Sequence, residues 1–317
     1  MNARRTDLDT AKGLGMVLVI VGHTQPPQDL VTLIYGLHMP LFFFVSGMLW
    51  NGETRIGRTA RSLLRPFWWA SFISWGLWML KQGVHPSGEV PWWGPLVVTA
   101  WGGDLNGWFV HNTPLWFLPA MFSLLATLAL MRRWMGHTQT LAVITLVAAA
   151  LMFLPPAAKT HQWPMSLAQG LVGSIFFSLG FFCRPTLDGA SPVVGAGALG
   201  AAAALSYWNG PVDLFSMNLQ QPLLYVAAGF TGAWGVVRLS AIQPLQLAAL
   251  QVMGRRSLWI LAVHMPVLWT LRGMARAARV PEAWWLLTAT CVGLMWSLAA
   301  WRDRSVNHTP TSFQRNG

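Results

Sequence analysis

His23 ends the stretch Asp9-Thr-Ala-Lys12-Gly-Leu-Gly-Met-Val-Leu-Val-Ile-Val-Gly-His23, an ionisable ring closing a run apolar enough to enter a bilayer. A charged group at membrane depth costs about 2.5–3.5 kcal/mol on insertion scales, so polar side chains found there usually serve a function. Lys12 precedes His23 by eleven residues. At 100° per residue that offset puts both on one side of a helix, and the rise is roughly 16 Å, about half the hydrocarbon thickness. Lys12 can therefore stand at the inner boundary, paired with Asp9, while His23 reaches the middle or outer half. Two readings stay open for this pair. Either His23 moves protons, or Lys12 is a snorkelling anchor and His23 caps the helix beside Thr24, Gln25 and Pro26.

His38 opens the next apolar run, LHMPLFFFVSGMLW. If the first two spans are antiparallel, His23 and His38 lie at similar depth and can share a proton-transfer task. Alternatively, His38 hydrogen-bonds a carbonyl freed by Pro40. Phe42, Phe43 and Phe44 read as helix or lipid contact. Ser46 lacks the surroundings of a nucleophile and fits substrate binding better. Arg58, Arg61 and Arg65 make one basic face before Pro66, suited to lipid phosphates or to the phosphates of a nucleotide-like donor. His111-Asn-Thr-Pro-Leu-Trp116-Phe117 reads as a kinked entry to the fourth span, with Trp116 a candidate contact for substrate. A third intramembrane histidine, His264, lies about two turns inside the run that follows Arg255-Arg256. Without clustered acids or cysteines, three histidines do not suggest a metal site.

The elements that must carry these residues are membrane helices. Of 317 residues, 54% are hydrophobic and only 10% charged, with a mean hydropathy of +0.45. Soluble domains carry about 25% charged residues. Apolar runs near 12–26, 31–50, 66–82, 114–131, 140–155, 167–183, 191–208, 220–238, 257–272 and 283–301 predict about ten transmembrane helices. The fold expected is all-α, a polytopic membrane helix bundle forming a single domain over 1–317, with a short disordered tail from about 303.

With the N-terminus in the cytoplasm, sixteen of the 21 Lys and Arg residues fall inside. Lys81, Lys159, Arg272, Arg276 and Arg279 fall outside. The bias sets both termini in the cytoplasm, and it explains the net charge of +11 without nucleic acid. The N-terminal run reads as a retained first helix rather than a cleaved signal, since no A-x-A-like site follows. Cys183 and Cys291 lie far apart in apolar runs and imply neither disulfide nor metal. The long connection 83–113 is placed to fold over the outer mouth, the segment 239–256 reads as an interfacial amphipathic helix, and GAGALGAAAA near 195–204 reads as close-packing material.

Together, DTAKGLGMVLVIVGH, LHMPLFFFVSG, the basic loop through Arg61, Arg65 and Pro66, PLWFLPAMF and GRRSLWILAVH resemble the integral-membrane acyltransferase 3 family, especially its short sugar O-acetylases of the fucose 4-O-acetylase kind. The motifs occur in family order from about residue 5 to 266. Two positions depart from the pattern: Met48 where an aromatic residue is common, and Arg256 where Asn is common.

The resemblance implies ten helices in a bacterial inner membrane. It implies transfer of an acetyl group from cytoplasmic acetyl-CoA to a carbohydrate hydroxyl, with an envelope or lipid-linked glycan as acceptor, membrane lipids as surroundings and no tightly bound cofactor. His23 would be the catalytic histidine, either as general base on the acceptor hydroxyl or transiently acylated, and Lys12, Arg58, Arg61 and Arg65 would support the donor. His38 and His264 would relay protons or position the acceptor, the second role shared with Asp9, Ser46 and Trp116. The rival reading is a transporter of a glycan or small metabolite, which intramembrane His and Arg residues also suit.

Overall fold

The computed structural model describes residues 5–84, 88–154, 162–184, 191–242 and 245–307. Arg4, Lys159, Arg315 and the tail beyond residue 307 lie outside these. Twelve α-helices occur among the described residues: α1 (Thr6–Gly22), α2 (Gln28–Leu49), α3 (Ile56–Val84), α4 (Gly94–Trp101), α5 (Phe117–Met131), α6 (His137–Met152), α7 (Leu167–Phe182), α8 (Pro192–Asn209), α9 (Pro222–Ser240), α10 (Ala248–Arg255), α11 (Ser257–Ala277) and α12 (Trp284–Asn307). The β pairing described is a single isolated bridge, Asp213 with Asn218. The protein is all-helical.

Every predicted span falls on one of the longer helices, and α4 and α10 are short additions in the connections 83–113 and 239–256. Six helical stretches are long and apolar enough to cross a membrane: Gln28–Leu49, Thr113–Met131, Pro164–Phe182, Pro222–Ser240, Ser257–Ala277 and Trp284–Arg304. His137–Met152 is apolar but shorter. Large apolar side chains face outward along the long helices, among them Ile73 and Leu80 of α3, Leu146 of α6, Val193 of α8 and Trp301 of α12. So much apolar surface left open is the mark of a chain whose solvent is lipid.

The ends of the helices follow from local chemistry. Asp7 and Asp9 sit in the first turn of α1, where the helix dipole favours negative charge. At α8, Ser191 accepts from the Val193 N–H and Pro192 occupies the first helical position. Gly102 ends α4 in the left-handed region (φ +72°), which L side chains rarely adopt.

Four sequence expectations need correction. The segment before Pro66 is helix rather than loop, because α3 begins at Ile56 and carries Arg58, Arg61 and Arg65 on its exposed first turns. Arg, Leu and Ala there are good helix formers, and Pro66 is tolerated inside. The tail does not start at 303, since α12 runs to Asn307 and Asp303 is held by Arg255 (2.6 Å) and Arg256 (3.1 Å). His38 does not open its span: α2 starts at Gln28, so His38 lies ten residues, roughly 15 Å, along it. In α8 only part of the small-residue run packs. Gly195 meets Leu239 and Arg238 of α9, whereas Gly197 and Gly200 face open space, being on the other side of the helix.

Helix α2 lies at the centre, against α1, α7, α8 and α9. Glycines set how closely its neighbours approach. A Cβ at Gly47 would run into the Phe177 carbonyl, and one at Gly180 into the Phe44 carbonyl, so α2 and α7 cross backbone to backbone. Helix α10 is docked the same way, with Gly13 against Leu250 and Gly254 against Asp9.

Candidate functional site

Helix α1 ends by delivering His23. Its backbone N–H closes the last turn on Val19 and Ile20, and its carbonyl accepts from Arg272 Nη2 of α11 at 3.0 Å. A guanidinium at this point meets the negative end of the α1 dipole. The His23 ring is half-buried, with the His264 ring centroid at 5.5 Å and that of Tyr35 at 6.4 Å.

The other two histidines are tethered in a common way. His38 is buried, and its Nδ1 lies 2.7 Å from the Ile34 carbonyl of its own helix. A carbonyl can only accept, so Nδ1 carries the proton and Nε2 keeps its lone pair. The carbonyl that Pro40 leaves without its usual partner belongs to Gly36, so this is a different bond from the one expected. His264 is buried likewise, with Nδ1 donating to Leu261 (2.9 Å) and Ile260 (3.2 Å). Its Nε2 is buried without a hydrogen bond. Tyr35, one helical turn before His38, connects the set at 5.0 Å from the His38 ring.

The rings of His23, Tyr35 and His38 line one small pocket of about 80 Å³, and His264 packs against His23 outside its wall. Trp116, Thr113 and Asp213 complete its wall. Asp213 comes from the connection between α8 and α9, folded by backbone bonds in both directions between Asp213 and Asn218 (2.7 and 2.9 Å). Its carboxylate accepts from the N–H groups of Phe215 and Ser216, and Gln169 of α7 holds the Phe215 carbonyl at 2.8 Å. The carboxylate is therefore fixed as it faces the pocket.

The connection between α4 and α5 supports this wall from behind. Asn112 is fully buried and donates to Ser74 (3.0 Å) and to the Ala262 carbonyl (3.1 Å). Ala262 is four residues before Pro266, which has no N–H to give it, so Asn112 fills the gap. His111 is also fully buried. The Thr99 hydroxyl donates to Pro95 (2.7 Å) and so accepts from His111 Nε2 at 3.3 Å. Burial pushes the His111 ring down to about 4.

A separate small apolar cavity of about 20 Å³ shares Met39 and Leu261 with the histidine pocket and is walled further by Met16, Phe42, Phe117 and Ser257. Met16 lies on α1 between His23 and Lys12, so the cavity points toward the Lys12 end. There Lys12 pairs with Asp9 at 2.8 Å.

Of the residues singled out from sequence, His23, His38 and Trp116 line the pocket, and His264 lies behind His23 with its ring 5.5 Å away. Lys12 and Asp9 stand at the opposite end of α1. Ser46 donates to the Phe42 carbonyl of its own helix at 2.7 Å and does not line the pocket. Arg58 lines a separate surface cavity with Arg55 and Trp50, and Arg61 and Arg65 are exposed. Sequence reasoning missed Tyr35 and Asp213. Tyr35 carried a signal in its spacing of three from His38, and Asp213 in being an acid stranded between two apolar runs. No group of His, Cys, Asp or Glu suited to a metal ion occurs among the described residues.

A family model described as an acyltransferase domain, that of the acyltransferase 3 family, matches residues 5–302. No curated protein and no solved structure matches the chain.

Proposed function

The chain belongs to the acyltransferase 3 family, and from that premise, for a multi-pass membrane acyltransferase, we propose that it moves an acetyl group from cytoplasmic acetyl-CoA to a carbohydrate hydroxyl. The acceptor is an envelope or exported glycan unit, and the membrane is the bacterial inner membrane, spanned about ten times with both termini inside. The observation that carries this reading is the meeting of His23 and His38 in one pocket, with His264 packed against His23 and a small apolar cavity on the side toward Lys12.

The reaction needs one base and one conduit. His23 takes the proton of the acceptor hydroxyl, the hydroxyl oxygen bonds to the acetyl carbon, the C–S bond breaks, and the proton passes to the departing thiolate. A ring with neither nitrogen tied to the backbone is suited to that exchange. His264, whose buried Nε2 has no hydrogen bond, packs against that ring; His38 and Tyr35 extend the polar wall. Asp213 and Trp116 offer a sugar a hydroxyl acceptor and an apolar wall. Lys12, Arg58, Arg61 and Arg65 supply cations for CoA phosphates at the inner boundary. The pantetheine arm, on the order of 15–20 Å, matches the roughly 16 Å rise from Lys12 to His23. Family membership favours the enzyme over a transporter.

Purified protein should transfer radiolabel from acetyl-CoA to a carbohydrate acceptor. His23→Ala should abolish transfer while insertion, expression and melting temperature stay as in the parent. Wild-type-like acetylation by that variant would remove His23 from the chemistry.

A further inference from the structure

Close to the histidine pocket, on the other side of Arg272, lies an open groove walled by Lys81 from the last turn of α3 and by Trp269, Arg272, Gly273, Arg276 and Ala277 of α11. The α11 residues recur at intervals of three and four, which makes them one face of the helix. A Cβ at Gly273 would meet nothing within 4 Å, so the floor of the groove is open.

The charge in this groove is not balanced. Glu282 pairs with Arg276 at 2.5 Å and stands 3.9 Å from Arg272 Nε, which is buried without a hydrogen bond. Lys81 has no ion pair among the described residues and is exposed. Three cations thus share one carboxylate. In the orientation proposed above, basic residues are disfavoured on the outer side. Yet Lys81, Arg272 and Arg276, three of the few that fall there, line a single groove. Trp269 beside them suits a site at the boundary between headgroups and acyl chains.

We infer that this groove binds the phosphate of a phosphate-bearing lipid. The source is either the phosphate or diphosphate of a lipid-linked acceptor or the phosphodiester of a bilayer lipid. Arginine and lysine donors match phosphate oxygens in both cases. The first source rests on the acyltransferase reading, and there the groove accounts for acceptor class. Arg272, which also holds the His23 carbonyl, would then set the distance between the acceptor's phosphate and the reacting hydroxyl.

The test uses the full chain in phosphatidylcholine nanodiscs, titrated with farnesyl diphosphate and with farnesol. In parallel, retained phosphatidylglycerol is measured by native mass spectrometry. The diphosphate should bind and farnesol should not. The double substitution Lys81→Gln/Arg276→Gln should weaken diphosphate binding, phosphatidylglycerol retention or both by at least about tenfold. Glu282→Gln should strengthen the same binding, a gain that misfolding cannot produce. A loss confined to the diphosphate identifies the acceptor as the source, and a loss confined to phosphatidylglycerol identifies the bilayer. Unchanged binding of both in the double variant overturns the inference. His23-dependent release of CoA from acetyl-CoA is followed in each sample. If it is missing while phosphate binding behaves as expected, the acyltransferase mechanism fails and the groove stands.

Discussion

Asp213 is the carboxylate in the wall of the histidine pocket, and two backbone N–H groups hold it in place. If it accepts hydrogen bonds from sugar hydroxyls, Asp213→Asn keeps the volume but loses the charge. The specificity constant for the acceptor should then fall at least about tenfold, or about 1.4 kcal/mol, with CoA release in the absence of acceptor unchanged. Unaltered acceptor kinetics would take Asp213 out of the site. His23, His38 and His264 were legible in the sequence because each is a polar ring inside an apolar run, where chance placement is costly. Asp213 gave only the weak signal of an acid between two apolar runs, because such an acid is ordinary until folding turns its connection toward the pocket. Tyr35 was obscured by amphipathic character, since tyrosine is at home in membrane helices for reasons unrelated to catalysis.

The helices are placed by backbone contact as much as by side chains. Gly180→Ala should cost about 1–3 kcal/mol, because its Cβ meets a carbonyl of α2 that cannot yield without moving the helix carrying His38. Gly200→Ala, facing open space, should be neutral or slightly stabilising. Melting temperatures in detergent distinguish the two, and equal losses would contradict the crossing geometry. Helix positions were readable from hydropathy because ten apolar runs are bounded by polar punctuation. The start of α3 was not, because Arg58, Arg61 and Arg65 look like loop charges although their spacing is helical. The docking of α10 was also hidden. A glycine opposite a backbone carbonyl shows only once two segments are brought together.

Across the whole molecule, the connection from α4 to α5 ties α3, α5 and α11 around the pocket, and His111 makes this tie dependent on pH. Its ring is held near 4 in the folded chain against about 6.5 when free. The folded state therefore disfavours the protonated form. Stability is complete above about pH 6.5 and falls as the pH drops toward 4, by up to about 3 kcal/mol. Thermal melts of His111→Gln should lose most of that slope between pH 7 and 5; a slope unchanged from the parent would place its origin elsewhere. The general plan of an all-helical membrane enzyme was legible from composition and motif order. This long-range tie was not, since it depends on which carbonyl a distant proline leaves vacant. Asn112 serves a carbonyl 150 residues further along the chain. Neither position is free to change by itself: an ordinary residue in place of Pro266 makes the amide redundant, and loss of the amide leaves a buried oxygen bare. The bond couples the two positions energetically, so the cost of Asn112→Ala should shrink when Pro266 is replaced by alanine.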